Sequence, residues 1–286
     1  MIALSLGLLA ALGWSIHDLL AKRFAAEAGP FRLSLWILLT GALLLLLPVF
    51  WRGQIWDADR ASVLLALATG VIYAAAIGGL LKAFSLAPVS IVGPFTAGYP
   101  ALVVFWGLVN GLVPSPLQWS SLVVILAGVV IVGRTGPPDG GIAAIAKGKI
   151  SVVVASCVIA SFCFAAAIVM GQAATPGLGE YETTLLMRLP AAAVLFLVMA
   201  QQEPKRQAVA KTTWIGIGAM AICDVTAVTA INVSAFYPGR EWGAMAIAAY
   251  GALSVLLAMV FLKEKVSTGQ WAGILLVVAG VVALSI

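Results

Sequence analysis

The sequence predicts an all-α integral membrane protein of ten transmembrane helices, arranged as two inverted five-helix repeats. Three observations predict it. Of 286 residues, 63% are apolar and only 9% are charged, with a mean hydropathy of +1.11. Soluble domains carry about 25% charged residues, so this chain has too few to cover a water-facing surface. Next, a phrase recurs: "QWSSLVVILAGVV" at 118–130 returns as "QWAGILLVVAGVV" at 270–282. Gln118 and Gln270 stand 152 residues apart (270 − 118), as do Gly128 and Gly280. Third, the basic residues are unevenly shared among the loops. Long non-alternating runs such as "ALLLLLPVF" exclude a β-barrel, whose strands alternate over about ten residues.

The elements follow in order, each near the roughly 20 residues that cross a bilayer. The first span, 2–21, ends at the polar step "HDLLAKR". It lacks a basic leader and a clean cleavage site, so a retained helix is expected rather than a signal peptide. Spans 33–50 and 62–81 follow breaks at "AGP" and "WDADR". The fourth, 88–109, comes so soon after "LKAFSLAPVS" that little room is left for a loop. Pro94 and Pro100 interrupt it, and each removes a backbone donor and favours a kink. Span 117–133 is the first copy of the repeated phrase. The Gly/Pro-rich stretch "GRTGPPDGGIAAIAKGK" at 133–149 is punctuated like a linker. Spans 150–170, 183–200, 213–233 and 241–262 follow, and 269–286 closes the chain with the second copy. The expected units are thus repeat 1–133, linker 134–149 and repeat 150–286.

Five spans per repeat is an odd number, so the second copy must lie upside down. The odd-numbered loops hold Lys22, Arg23, Arg32, Lys82, Arg134, Lys147, Lys149, Lys205, Arg206, Lys211, Lys263 and Lys265, and the even-numbered ones only Arg52, Arg60, Arg188 and Arg240. The excess of Lys and Arg marks the cytoplasmic side, which puts both termini outside. Inverted repeats are the usual architecture of secondary transporters, with the site between the halves at the midplane. Tyr99 and Tyr250, 151 apart, echo the same duplication.

With "LGWSIHDLLAKR" in the first span, "FLKEKVSTGQWAGILLVVAGVVALS" at the end and its echo in "LVNGLVPSPLQWSSLVVILAGVVIVG", the chain resembles the drug/metabolite transporter superfamily, in its ten-span EamA-type branch. The resemblance covers the whole chain. It implies a transporter of small metabolites in the cell's inner (plasma) membrane, with amino acids among the expected cargo. An acidic residue after each half's fourth span belongs to the family pattern. Glu264 matches it, whereas the first half has Leu112 there, with Asn110 nearby.

The candidate site residues are the polar groups inside spans. Asp224, in "AMAICDVTAVTAIN", costs roughly 2.5–3.5 kcal/mol at a helix centre. It is expected to bind substrate or a proton, or else to make a structural hydrogen bond. No fixed cation is assigned to it, so Asp224→Asn is expected to relieve a burial cost. His17, the single histidine, is open to a proton-sensing, a substrate-contact or a packing role. Neighbouring helix residues point about 100° apart, so His17 and Asp18 are not expected to share a partner, and Asp18 has the spacing of an ion pair with Lys22. Arg188 is expected to snorkel to the interface, with the cavity as its alternative. Lys82 reaches the cavity if its helix continues. Glu241 suits a helix start. Trp14, Tyr73, Tyr99 and Tyr250 lie within spans as candidate cavity walls, while Trp36, Trp51, Trp56, Trp119, Trp214 and Trp271 form an interfacial belt. "GLVNG" and "GREWG" have the spacing of close helix approach.

Other classes lack their residues. No serine precedes a glycine, no Gly-x-Gly-Asp occurs, and one histidine cannot make HExxH, so enzyme chemistry is not expected. Cys157, Cys163 and Cys223 sit in apolar spans as packing thiols. No metal, cofactor or nucleic acid is expected. The expected partners are a small-molecule substrate, the lipid bilayer and protons, with the chain a monomer or weak homodimer. A lipid or lipid-linked flippase on the same scaffold is the rival reading.

Overall fold

The computed structural model describes residues 1–52, 54–87, 92, 96–135, 149–202, 209–261, 263 and 266–284, without the side chains of residues 22, 25 and 26. Glu264, Pro94, the Lys22 side chain, Lys147, Lys205, Arg206, Lys265 and residues 136–148 of the expected linker lie outside the described residues. The helices are α1 (Ile2–Ala28), α2 (Pro30–Arg52), α3 (Arg60–Phe84), α4 (Tyr99–Val109), α5 (Pro116–Arg134), α6 (Ile150–Leu178), α7 (Glu180–Gln202), α8 (Lys211–Val233), α9 (Arg240–Ala246), α10 (Ala249–Phe261) and α11 (Thr268–Ala283). Among the described residues, eight spans are long and apolar enough to cross a membrane, with α9 and α10 together forming one of them. The shorter apolar helices α4 and α11 bring the spans to ten.

Two helices outrun their expected ends. α1 continues to Ala28 because "AKRFAAEA" holds good helix formers and no breaker before Gly29 and Pro30. α6 continues through Pro176 to Leu178 and stops at Gly179, whose φ of +102° only glycine adopts without strain. The ninth span is two helices, interrupted at Ile247 and Ala248. In the first half the same two-residue turn, Ala97 and Gly98, precedes α4. Tyr99 opens α4, and Tyr250 is the second residue of α10. Discontinuous helices at the centre of a bundle are a transporter device, because irregular backbone at membrane depth is tolerated only where protein or a cavity surrounds it.

The repeated phrase forms one structure twice. Ser115 and Ser267 are the N-caps of α5 and α11, and in both a capping box closes on the glutamine three residues on. Gln118 N–H donates to Ser115 Oγ at 3.2 Å, and Ser115 N–H to Gln118 Oε1 at 2.9 Å. The second copy has 3.1 and 2.9 Å. The two helices pack on each other through glycine. A Cβ on Gly128 would stand 2.7 Å from the Gly273 carbonyl, and one on Gly273 2.8 Å from that of Gly128. Gly280 meets Ser121 in the same way. Numbering rises along one helix as it falls along the other, so the last spans of the two halves are antiparallel, as inversion requires.

The remaining contacts also come in exchanged pairs. α1 runs along α8 and α3 along α6, α2 lies against α8 and α3 against α7, and α2 packs on α7. Each of these inter-half contacts therefore has a mate with the halves exchanged, α2–α7 being its own. Gly243 of "GREWG" lies against Ala3 of α1, so that pattern does serve close packing. The belt residues Trp51, Trp56, Trp119 and Trp271 are exposed, and Trp36 meets Trp214 edge-on at 4.8 Å.

Candidate functional site

α1, α2, α3, α6 and α8, with both broken spans, enclose a cavity of about 170 Å³. Its lining runs from Asn232, near the end of α8, to Ser34 at the start of α2 and Phe84 at the end of α3. The cavity therefore extends from near the even-loop end of α8, past the middle of the bundle, towards the odd-loop face. Ile77, Leu80, Phe84 and Phe164 give it apolar walls.

Two polar clusters stand in these walls. The first centres on Asp224, which is 4% exposed. Its Oδ2 accepts from Arg188 Nη2 at 2.6 Å. Its Oδ1 accepts from Trp14 Nε1–H at 3.2 Å and from the Tyr73 hydroxyl at 3.3 Å. A buried carboxylate is tolerable when it is both paired and hydrogen-bonded, and Asp224 is both. The cation assigned to no partner in the sequence is its partner here. Arg188 does not snorkel: it is fully buried between α2 and α8, with Nε beside Gly41. The carboxylate explains why, since a guanidinium in apolar surroundings needs a counter-charge. Tyr73 does not face Asp224 as a separate wall but bonds to it.

The second cluster spans α1 and α10. Trp14, His17 and Asp18 share one face of α1 through the i, i+3, i+4 spacing. His17 Nδ1 and Asp18 Oδ1 are 2.9 Å apart, so these neighbours bond to each other, a contact that the sequence reading did not raise. Side-chain rotation bridges the 100° that separates their Cα–Cβ directions. The Tyr250 hydroxyl donates to Asp18 Oδ2. Asp18 lines the cavity with its side chain 42% exposed. It stood outside the candidate site residues, read instead as the interfacial partner of Lys22, whose side chain lies outside the described residues. Its signal was present in "HDLLAKR", but the four-residue spacing to Lys22 drew it to the interface. Tyr99 also lines the cavity and packs on Phe164 at 5.5 Å.

Lys82 does not join the site. It is exposed and outside the lining, on the side of α3 that Leu80 and Phe84 do not share. Glu241, in the first turn of α9, accepts from Arg240 Nε at 3.2 Å and fits the structural role expected of it. Cys157 is buried among Ala83, Ala87 and Val153 as a packing thiol. Among the described residues no group of three metal-ligating side chains occurs.

Beyond Asn232 the bundle is shut by buried polar contacts. Asn232 Nδ2 donates to Thr184 Oγ1 at 2.9 Å, and Gln172 Nε2 to Ser234 Oγ at 2.9 Å. Past this plug is a second hollow of about 500 Å³ at the even-loop face, bordered by Arg52, Gln54, Thr175, Gly179, Glu180 and Tyr237. Arg52 pairs with Glu180 across it and lies over the Tyr181 ring at 5.2 Å. The arrangement is a cavity reaching towards the odd-loop face, a plug, and a clasped vestibule at the other face.

A family model described as "EamA-like transporter family" matches residues 1–134 and again 151–286. A solved structure titled "Crystal structure of protein" superposes with a TM-score of 0.83 at 18% identity, covering 99% of this chain and 96% of that one. No curated protein matches the sequence.

Proposed function

The chain belongs to the EamA-like transporter family and is a multi-pass membrane protein, and on that premise we propose that it carries a small amine-bearing metabolite, foremost an amino acid, by exposing one cavity alternately to the two faces. The observation that carries this reading is the difference between the two cavity carboxylates. Asp224 is neutralised by Arg188, whereas Asp18 opens to the cavity and, among the described side chains, meets His17 and Tyr250 but no lysine or arginine. A carboxylate beside apolar and aromatic walls suits an ammonium group with a hydrophobic body. The hydroxyls of Ser34 and Tyr99 border the same space and offer donors to the other end of a zwitterion. At about 170 Å³, the cavity is smaller than the roughly 300–1,000 Å³ of drug-sized sites, which favours a small solute over a lipid. In this reading the membrane is the cell's inner membrane, with the odd loops in the cytoplasm, and the substrate's own gradient or a coupled ion supplies the energy.

The test is uptake of a radiolabelled panel of amino acids and amines into proteoliposomes, with and without a pH gradient. At least one amine-bearing solute is expected to move, and Asp18→Asn to weaken it. Losing a hydrogen bond to a charged group costs about 1.5–3 kcal/mol, so the KM should rise about 10- to 100-fold. Lipid scrambling with no solute uptake would replace this reading with a flippase.

A further inference from the structure

α7 carries a carboxylate that the cavity does not use. Glu182 is completely buried, and neither of its oxygens has a hydrogen-bond partner among the described residues. It sits under the vestibule floor: a Cβ on Gly179 would collide with Glu182 Oε2 and lie 2.6 Å from Gln54 Oε1. Gly179 and Gln54 both border the vestibule. Gly179, with no side chain of its own, stands between the buried carboxyl and the even-loop water space.

The groups around it do not compensate an ionised Glu182. From α2, Arg52 is committed to Glu180. From α7 itself Glu180 adds a like charge, while the positive end of the helix and, through space, the Arg52 guanidinium already paired with Glu180 favour the ionised form. At the start of α3, Asp59 accepts from Ser62 N–H, and Asp57 lies in the preceding turn as another negative group. The adjoining end of α6, Thr175–Leu178, has no charged side chain. Burying a carboxylate unpaired and unbonded is far costlier than burying the neutral acid.

We propose that Glu182 is a proton-binding site that latches the even-loop gate: it holds a proton while the vestibule is clasped and releases it when α7 parts from α2 and the carboxyl meets water. This rests on the transport reading above, since a gate matters only if the even face opens. The closed form binds one proton more than the open form, so the open-to-closed ratio rises with pH. The limit for a single proton is about tenfold per pH unit.

The experiment is maleimide labelling of the full-length protein in nanodiscs with Cys157, Cys163 and Cys223 replaced by alanine. Thr175→Cys reports gate opening, because Thr175 borders the vestibule and is fully buried in the clasped form. Asn110→Cys, exposed at the end of α4, normalises for the reagent's own pH dependence. Between pH 5 and 9, normalised labelling at position 175 is expected to rise at least tenfold. Glu182→Gln should make it low and flat. Glu182→Asp, which still titrates, should restore the rise. A flat profile in the Glu182 parent overturns the proposal, as does an unchanged profile, or constant high labelling, in Glu182→Gln. No substrate is needed, so a flat profile with intact solute uptake removes the latch alone. Failure of the whole solute panel removes the transport reading instead.

Discussion

The α5–α11 seam and the cavity are both built from the two halves of a duplicated chain, yet they treat the duplication in opposite ways. At the seam the copies match: two capping boxes, two Gln-Trp openings, and glycines in equivalent contacts. Around the cavity, equivalent positions 151 apart diverge. Tyr73 answers Asp224 (224 − 73), Ile168 answers His17 (168 − 17) and Ile37 answers Arg188 (188 − 37). Among the polar lining residues, Tyr99 and Tyr250 alone keep their identity. Residues that set how two backbones approach are held in common, because the pseudo-twofold arrangement needs both. Residues that set chemistry are not, because one substrate has no twofold symmetry of its own.

Breaking the unmatched region should cost most. Asp224→Asn leaves Arg188 buried with no counter-charge, which corrects the expectation that the change relieves strain. Removing one partner of a buried pair costs about 3–5 kcal/mol. Unfolding in detergent should show that loss. The double variant Asp224→Leu with Arg188→Met should recover most of it, while uptake stays abolished. Equal stability of Asp224→Asn and the parent would mean the pair is not formed.

At the seam a smaller and symmetric penalty is expected. Gly128→Leu forces side-chain atoms into the Gly273 backbone, and overpacking of this kind costs about 1–3 kcal/mol. Gly280→Leu, against Ile125 and Ser121, should cost about the same. Clearly unequal melting temperatures for the two would argue that the seam is less symmetric than its contacts.

The smallest effect belongs to a tie at the odd-loop face. Glu27 accepts from Thr213 Oγ1 at 2.6 Å and from Ala210 N–H at 2.7 Å. These bonds, the hydroxyl first, hold its carboxyl below the usual range. With the folded value depressed, the tie contributes fully above the unfolded carboxylate pKa and fades as pH falls through the folded one. Glu27→Gln should slightly lower stability at neutral pH, flatten the acid limb of the profile and leave stability at low pH almost unchanged.

Ten spans and their inversion were legible because membrane burial and loop charge act on whole segments, and a duplicated phrase survives wherever backbones touch. The cavity was half legible. Trp14, Tyr73, Tyr99, Asp224 and Tyr250 stood out as polar or aromatic groups inside apolar runs. Their grouping did not, because Arg188 and Asp224 are 36 residues apart on different helices, and no local spacing records that meeting. Asp18 drew less notice for the opposite reason: a plausible local partner, Lys22, stood in front of the distant Tyr250. Glu182, at the head of α7, carried no signal beyond that of an ordinary helix start.

Ser15 has a consequence of its own. Its one hydroxyl proton is shared between the Ala11 carbonyl at 2.7 Å and the Tyr250 carbonyl at 3.0 Å, where the ninth span resumes after its break. One residue earlier, Trp14 is bonded to Asp224 on α8. At a single height α1 is thus pinned to two helices of the other half, by one bond to a side chain and one to the main chain. In mechanical terms α1 is a crank: it cannot tilt at that level without pulling on α8 and on the joint of the ninth span together. An event at the Asp18 end of the cavity is thereby geared to the Asp224 end, and a solute bound between them touches both ends of one lever.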